Sequence, residues 1–412
     1  MIKRFYYIFS LSMPVVIIPF LLLCILAFIT VSTGICQDAK KLTVMTHDSF
    51  SVSEKVVAVF EKENNAKLVF LKSGDAGEAL NKAILSKNSP LADIFYGVDN
   101  TFLSRAIKGD IFLPYASPML KSVDDKLKLD SENRLLPVDF GDVCLNYDKK
   151  WFADHKLAVP VMLEDLIKPE YKGLLVIENP ATSSPGLAFL LTTISRFGET
   201  EAFEFWKKLK KNDVFITNGW KEAYWGKFSA ASEGDRPIVV SYASSPAAEV
   251  HFAKAEDAAT KDKDASTKDN DPSTKDKDAS TKDKDSSTKN EDNPSKDSNG
   301  KKLGNNNTKD KDAPTGAVTE HGSAFRQIEF AGILKGTANL DLAQKLIDFL
   351  LSKTFQEDIP LQMFVFPSNH NAALPEVFQK YAIITTQPAT LSYDEISEKR
   401  EMWIEKWTEL ML

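Results

Sequence analysis

Cysteine is scarce here: the 412 residues hold three, Cys24, Cys36 and Cys144. Two of them lie in or at the edge of an apolar N-terminal stretch, so the rest of the chain has no pair with which to build a disulfide framework. Cys144 sits in an apolar, strand-like run and reads as a small buried hydrophobe. Histidine is almost as sparse. His47, His155, His251, His321 and His370 are far apart and show no metal-ligand spacing. No nucleophile elbow appears either, so neither a hydrolase nor a metalloenzyme has a constellation to rest on, and the chain is read as a non-enzyme with no cofactor. Stripes of Lys and Arg with interleaved aromatics are missing outside one repetitive region, and the formal net charge is −7. Those two facts argue against a nucleic-acid partner. An acidic balance is compatible with a cationic ligand without demanding one.

Two segments stand apart from any fold. Lys3 and Arg4 precede an apolar run from about Tyr6 to Ile35, and Cys36-Gln37-Asp38 opens a polar region. Residues 1–36 are therefore expected to be a signal peptide or an uncleaved membrane anchor. Thr33-Gly34-Ile35-Cys36 is similar to a lipidation site, although Ile35 is large for the position before the Cys. Either outcome puts the globular part outside the cytoplasm and held to a membrane. The second segment repeats every seven residues, starting at Asp257, Asp264, Asp271, Asp278 and Asp285. A seven-residue period invites a coiled coil, but the repeat has no apolar pair larger than Ala to form a seam. Residues 254–316 are read as a disordered low-complexity insert, with order resuming near Ser323. Roughly 310 residues remain, enough for two domains.

Those residues read as α/β. Leu42–Thr46, Lys67–Leu71 and Ala92–Val98 are strands separated by amphipathic helices, which means a mainly parallel sheet flanked by helices. Ligands of such sheets bind beyond the carboxyl ends of the strands. Each exit loop there carries an Asp: Asp48, Asp75 and Asp99. Val138–Asp148 is an extended crossover, and a second α/β lobe follows. Within it Leu174–Ile177 is a buried strand and Leu187, Leu190, Leu191 and Ile194 fall at helical spacing. Between them, Ser184 is expected as N-cap and Pro185 as first helical residue, leaving the N–H groups of Gly186 and Leu187 free for an anion. Pro237–Pro246 repeats the pattern of strand, hydroxyl loop and Pro.

Thr46-His47-Asp48-Ser49-Phe50, Gly97-Val98-Asp99-Asn100, Thr182-Ser183-Ser184-Pro185-Gly186-Leu187, Gly219-Trp220-Lys221-Glu222-Ala223-Tyr224 and Ser241-Tyr242-Ala243-Ser244-Ser245-Pro246 together carry a resemblance. In these stretches the chain resembles the thiamine-binding proteins of bacterial ABC importers. The resemblance implies a two-lobed periplasmic binding protein fold with the ligand cleft between the lobes. The first lobe would comprise 41–138 plus 327–365 and the second 139–326 plus 366–412. It implies a monomer whose partners are a permease and ATPase complex and whose ligand is thiamine, its monophosphate or its diphosphate. Trp220 and Tyr242 would face the rings, Asp75 would bond the aminopyrimidine, and Ser183 would lie near the phosphate end. His47, Asp48, Ala76, Asp99, Thr182, Ser184, Gly186, Tyr224, Ser245 and Phe364 complete the expected site. His47 stands where the family usually has Tyr, Phe364 where it usually has Trp, and Ala247-Ala248 where a Tyr is usual. An iron(III)-binding importer protein on the same fold is the first alternative, although Tyr242 lacks the neighbouring Tyr that such chemistry favours. A surface interaction lipoprotein is the second.

Overall fold

The computed structural model describes residues 39–254 and 313–412. The expected export segment and nearly all of the repeat lie outside the described residues. β1 (Lys40–Thr46) leads to α1 (Glu54–Asn64), which Ser53 caps by accepting from the Val56 N–H and which Asn65 ends at φ 45° in the left-handed conformation. β2 (Ala66–Lys72), α2 (Ala76–Leu85), β3 (Ile94–Asp99), α3 (Leu103–Lys108) and β4 (Phe112–Leu113) follow. Every residue of β3 is buried, as an apolar run covered on both faces must be. The chain then crosses through β5 (Leu136–Asp148) into α4 (Lys149–Asp154), β6 (Leu175–Glu178), α5 (Ser184–Phe197), α6 (Glu199–Lys211), β7 (Phe215–Thr217), α7 (Trp220–Gly226) and β8 (Ile238–Tyr242). A helix, α8 (245–254), ends where description stops. It resumes with β9 (Thr315–Val318) and β10 (Phe325–Leu334), then α9 (Leu340–Leu350), α10 (Lys353–Gln356), α11 (Ile359–Gln362), β11 (Phe366–Pro367), α12 (Glu376–Tyr381) and α13 (Tyr393–Met411).

The sheet runs β2-β1-β3-β10-β5-β8-β6-β7, with β4 paired to β10 and β9 and β11 paired to β5. β1 and β3 are parallel, as are β6 with β7 and β6 with β8. These are the parallel wings expected of the two lobes. The centre differs: β10 is antiparallel to β3 and β5, and β5 is antiparallel to β8. The chain passes between wings along two long strands rather than through helical crossovers, and antiparallel pairing is what such a passage and return produces. The boundaries expected at 138/139 and 326/327 thus fall inside β5 and β10. The C-terminal helix α13, allotted to the second lobe, packs against α6 of that lobe and α3 of the first.

Two expectations are corrected. The insert does not extend to 316, because Thr315 and Gly316 pair with Asp148 and Tyr147 in the β9–β5 ladder, and Ala313 is buried. A Thr-Gly-Ala-Val tetrapeptide is too short to stand out beside a polar repeat, and only its partner strand makes it a strand. Ser184 is not the N-cap of α5. Ser183 holds that position, and Ser184 and Pro185 are the first helical residues.

Candidate functional site

A cavity of ≈ 280 Å³ lies where the crossing strands meet the carboxyl ends of both wings. One wall is aromatic. Trp220, first residue of α7, stacks on Tyr224 one turn later with ring centres 4.9 Å apart and planes at 18°. Its indole N–H donates to Ser241 Oγ at 2.9 Å, which fixes the ring's tilt. Tyr242 meets Trp220 edge-on at 6.4 Å. Tyr224 is fully buried and donates its hydroxyl to Glu249 at 2.7 Å, so it buttresses Trp220. Phe364 and Phe252 close a further side with centroids 5.1 Å apart. Phe364 adopts φ 55°, a strained conformation for a bulky residue and one held by its packing.

The lining also carries acids. Asp48, Asp75, Asp139 and Glu329 line the cavity against Lys72, Lys221 and His47. Asp75 accepts from the N–H of Ala76 at 2.8 Å, capping α2, and from the Trp220 N–H at 3.0 Å, tying the two lobes together. Gly219 permits that bridge, since a Cβ there would lie 2.8 Å from Asp75 Oδ2. A second tie joins Gly77 N–H to Thr182 O at 3.0 Å. Burial pushes the Asp75 carboxyl above its usual range despite these donors and the nearby His47. Burial likewise raises Asp139 well above the carboxylate range, and the charge of Glu329 reinforces it. His47 is pulled down by burial but raised overall by Glu329, whose Oε1 lies 3.3 Å from Nε2.

Ten of the expected site residues line this cavity: His47, Asp48, Asp75, Ala76, Ser184, Trp220, Tyr224, Tyr242, Ser245 and Phe364. Four do not. Asp99 is buried and spends Oδ1 on the N–H groups of Thr101 and Phe102 and on the Thr101 hydroxyl; burial pushes its carboxyl up to about 7. Thr182 donates its hydroxyl to Asn218 O at 2.6 Å. Ser183 is fully buried. Gly186 is a close-approach residue, because a Cβ there would fall 2.4 Å from Glu178 O. The α5 terminus also offers less than expected: the Leu187 N–H is bonded to Ser183 O at 3.0 Å. Ser183 and Ser184 face Asp75 and Asp99 and favour their charged forms, yet neither hydroxyl closes a hydrogen bond. Carboxyl groups occupy the space before this helix, where an anion was expected.

Sequence reasoning missed Asp139, Gln327 and Glu329 on the crossing strands, and Phe252, Met363 and the two lysines. Acids inside otherwise apolar strands, Val138-Asp139-Phe140 and Ile328-Glu329-Phe330, were the available signal. Among the described residues no group of three His, Cys, Asp or Glu is placed to hold a metal ion.

The profile of the bacterial extracellular solute-binding protein family matches residues 89–264 and 265–399. The thiamine-binding periplasmic protein of Escherichia coli (strain K12) is 26% identical over 396 residues, covering 95% of this chain and 97% of that one. Its counterpart in Haemophilus influenzae (strain ATCC 51907 / DSM 11121 / KW20 / Rd) is 30% identical over 234 residues, 55% of this chain and 67% of that one. Among solved structures, a periplasmic thiamin binding protein superposes with a TM-score of 0.70 at 24% identity, covering 91% of this chain and 97% of its own. A ferric binding protein from Campylobacter jejuni superposes at 0.62 with 17% identity, covering 90% and 99%, so the fold alone does not choose the ligand. With the profile spanning most of its length, this chain belongs to the bacterial extracellular solute-binding protein family.

Proposed function

We propose that the chain is an extracytoplasmic solute-binding protein that captures thiamine or a thiamine phosphate and delivers it to an ABC transporter's permease and ATPase, held at the membrane through its N-terminal segment. The observation that carries the reading is the pairing of a Trp220–Tyr224–Tyr242 wall with an acidic floor in one cavity. A thiazolium is a permanent cation, and a Trp face attracts a cation by roughly 0.5–2 kcal/mol. Carboxyl groups suit the amino group of a pyrimidine. The names of the Escherichia coli and Haemophilus influenzae relatives support the same ligand.

A phosphate tail fits best toward Lys72 and Lys221, both exposed and both lining the cavity, rather than at Ser183. The test is calorimetry of the purified chain with thiamine, its monophosphate, its diphosphate and ferric ion, alongside native mass spectrometry of the protein as isolated. Saturable binding of a thiamine form supports the proposal. Binding of ferric ion with none of the thiamine forms overturns it.

A further inference from the structure

Asp139 and Glu329 stand directly opposite one another in the register of β5 and β10, on the floor of the cavity. Asp139 is 2% exposed and Glu329 6%. Like charges directly opposite on paired strands destabilise a sheet, and a low-dielectric surrounding multiplies the repulsion. Burial and the neighbouring carboxylate both oppose charging Asp139.

The groups that face the pair come from every neighbouring strand. From β3, the Tyr96 hydroxyl donates to Asp139 Oδ2 at 2.6 Å. Past the end of β1, His47 sets Nε2 3.3 Å from Glu329 Oε1. From β8, the Tyr242 hydroxyl donates to Gln327 Oε1 at 3.3 Å on the same face of β10. β11 brings only Phe366 and Pro367 against this part of β5. Farther off, Asp75 and Asp99 add negative charge and Lys72 positive charge around His47 and Tyr242. His47, 7% exposed, also lines the cavity, and its Nε2 faces Glu329. An aromatic wall above two paired acids suits a cationic ring.

We propose that Asp139 is a ligand-linked proton site, which gives up to solvent the proton it holds opposite Glu329 as a cationic aromatic ring enters the cavity. One positive charge arrives and one leaves, so the floor's charge balance is kept and both carboxylates face the cation. Burial and the Glu329 charge both raise the Asp139 carboxyl and so favour the proton there in the ligand-free protein. The inference rests on the cationic ligand proposed above.

The experiment is a calorimetric titration of the full chain with thiamine near neutral pH, in two buffers of different ionisation enthalpy. On the order of one proton should be released per thiamine, with affinity rising by up to about tenfold per pH unit while Asp139 is protonated in the free protein. Asp139→Asn should abolish both the release and the pH slope. His47→Gln should retain them, which separates Asp139 from the neighbouring imidazole as the source. Equal heats for the wild type in both buffers, or release that survives Asp139→Asn, overturns the inference. Should Asp139→Asn fail to fold, infrared difference spectra of the wild type decide instead: thiamine should bleach a protonated-carboxyl band, and no bleach overturns the inference. Thiamine binding without proton release sinks this inference alone, whereas no thiamine binding sinks it together with the functional reading.

Discussion

At the scale of single residues, Trp220 is the side chain on which ligand affinity turns. Its ring is half-buried and braced from behind by Tyr224, and its indole N–H is already satisfied by Ser241, so a face remains for the ligand. Trp220→Ala should weaken thiamine by about 1–3 kcal/mol, from lost apolar contact and cation–π attraction. Calorimetry reads the change, and an unaltered dissociation constant removes Trp220 from the site. Asp99 makes a different prediction. Its folded-state carboxyl is raised by burial to about 7, against 3.8 for the free side chain. A raised acid favours folding relative to its charged form at low pH, and that advantage is lost as pH climbs from 3.8 through about 7. Asp99→Asn keeps the oxygen that caps Thr101 and Phe102, so it should remove the loss. Each tenfold change in a protonation equilibrium is worth about 1.4 kcal/mol, so the gain above neutrality reaches a few kcal/mol at most. Thermal melts at acid and alkaline pH test this; a wild-type-like pH dependence in the variant counts against it.

At the scale of elements, the strand–loop–helix of β6 and α5 was the most legible piece of the sequence and also the most misleading. Its strand, its Pro in the first turn and its apolar face over Leu187, Leu190, Leu191 and Ile194 are all present. What a lone segment cannot reveal is what other elements place in front of its amino end. Here those are Asp75, at the start of α2, and Asp99, at the end of β3, so the donors meet carboxyl groups. Ser183→Ala should therefore leave affinities for thiamine and its diphosphate within a few-fold of wild type. It should change stability by less than about 1 kcal/mol, since the hydroxyl closes no hydrogen bond. A selective loss of diphosphate binding would return the anion role to this loop.

At the scale of the whole molecule, β5 and β10 carry the chain between the two wings, and Asp75 with Trp220 and Gly77 with Thr182 draw the wings together over the cavity. The repeat enters this frame after α8 and leaves it before β9. Deleting 255–312 and joining the ends with a Gly/Ser linker should keep thiamine binding within a few-fold, because the seven-residue units have no side chain able to build a core. Deleting 254–316 instead should destabilise the protein, since it removes Thr315 and Gly316 from the ladder with β5. Melting temperatures of the two deletions distinguish these outcomes; equal stability would show that the β9 pairing contributes nothing.

The sequence by itself determined the alternation of strands and helices, the two wings, the loops at strand ends and the aromatic run from Trp220 to Trp225. Hydrophobic period and turn chemistry are local properties, readable within a dozen residues. Only the tertiary structure decided the acidic floor and the identity of the α5 cap. It alone also showed that Tyr224 supports Trp220 while Asp99, Thr182, Ser183 and Gly186 stand outside the cavity. Asp139 and Glu329 are 190 positions apart in the chain, as their numbers show, and become neighbours through the register of two antiparallel strands. Register follows from which faces the assembled sheet can bury, and no single segment contains that information.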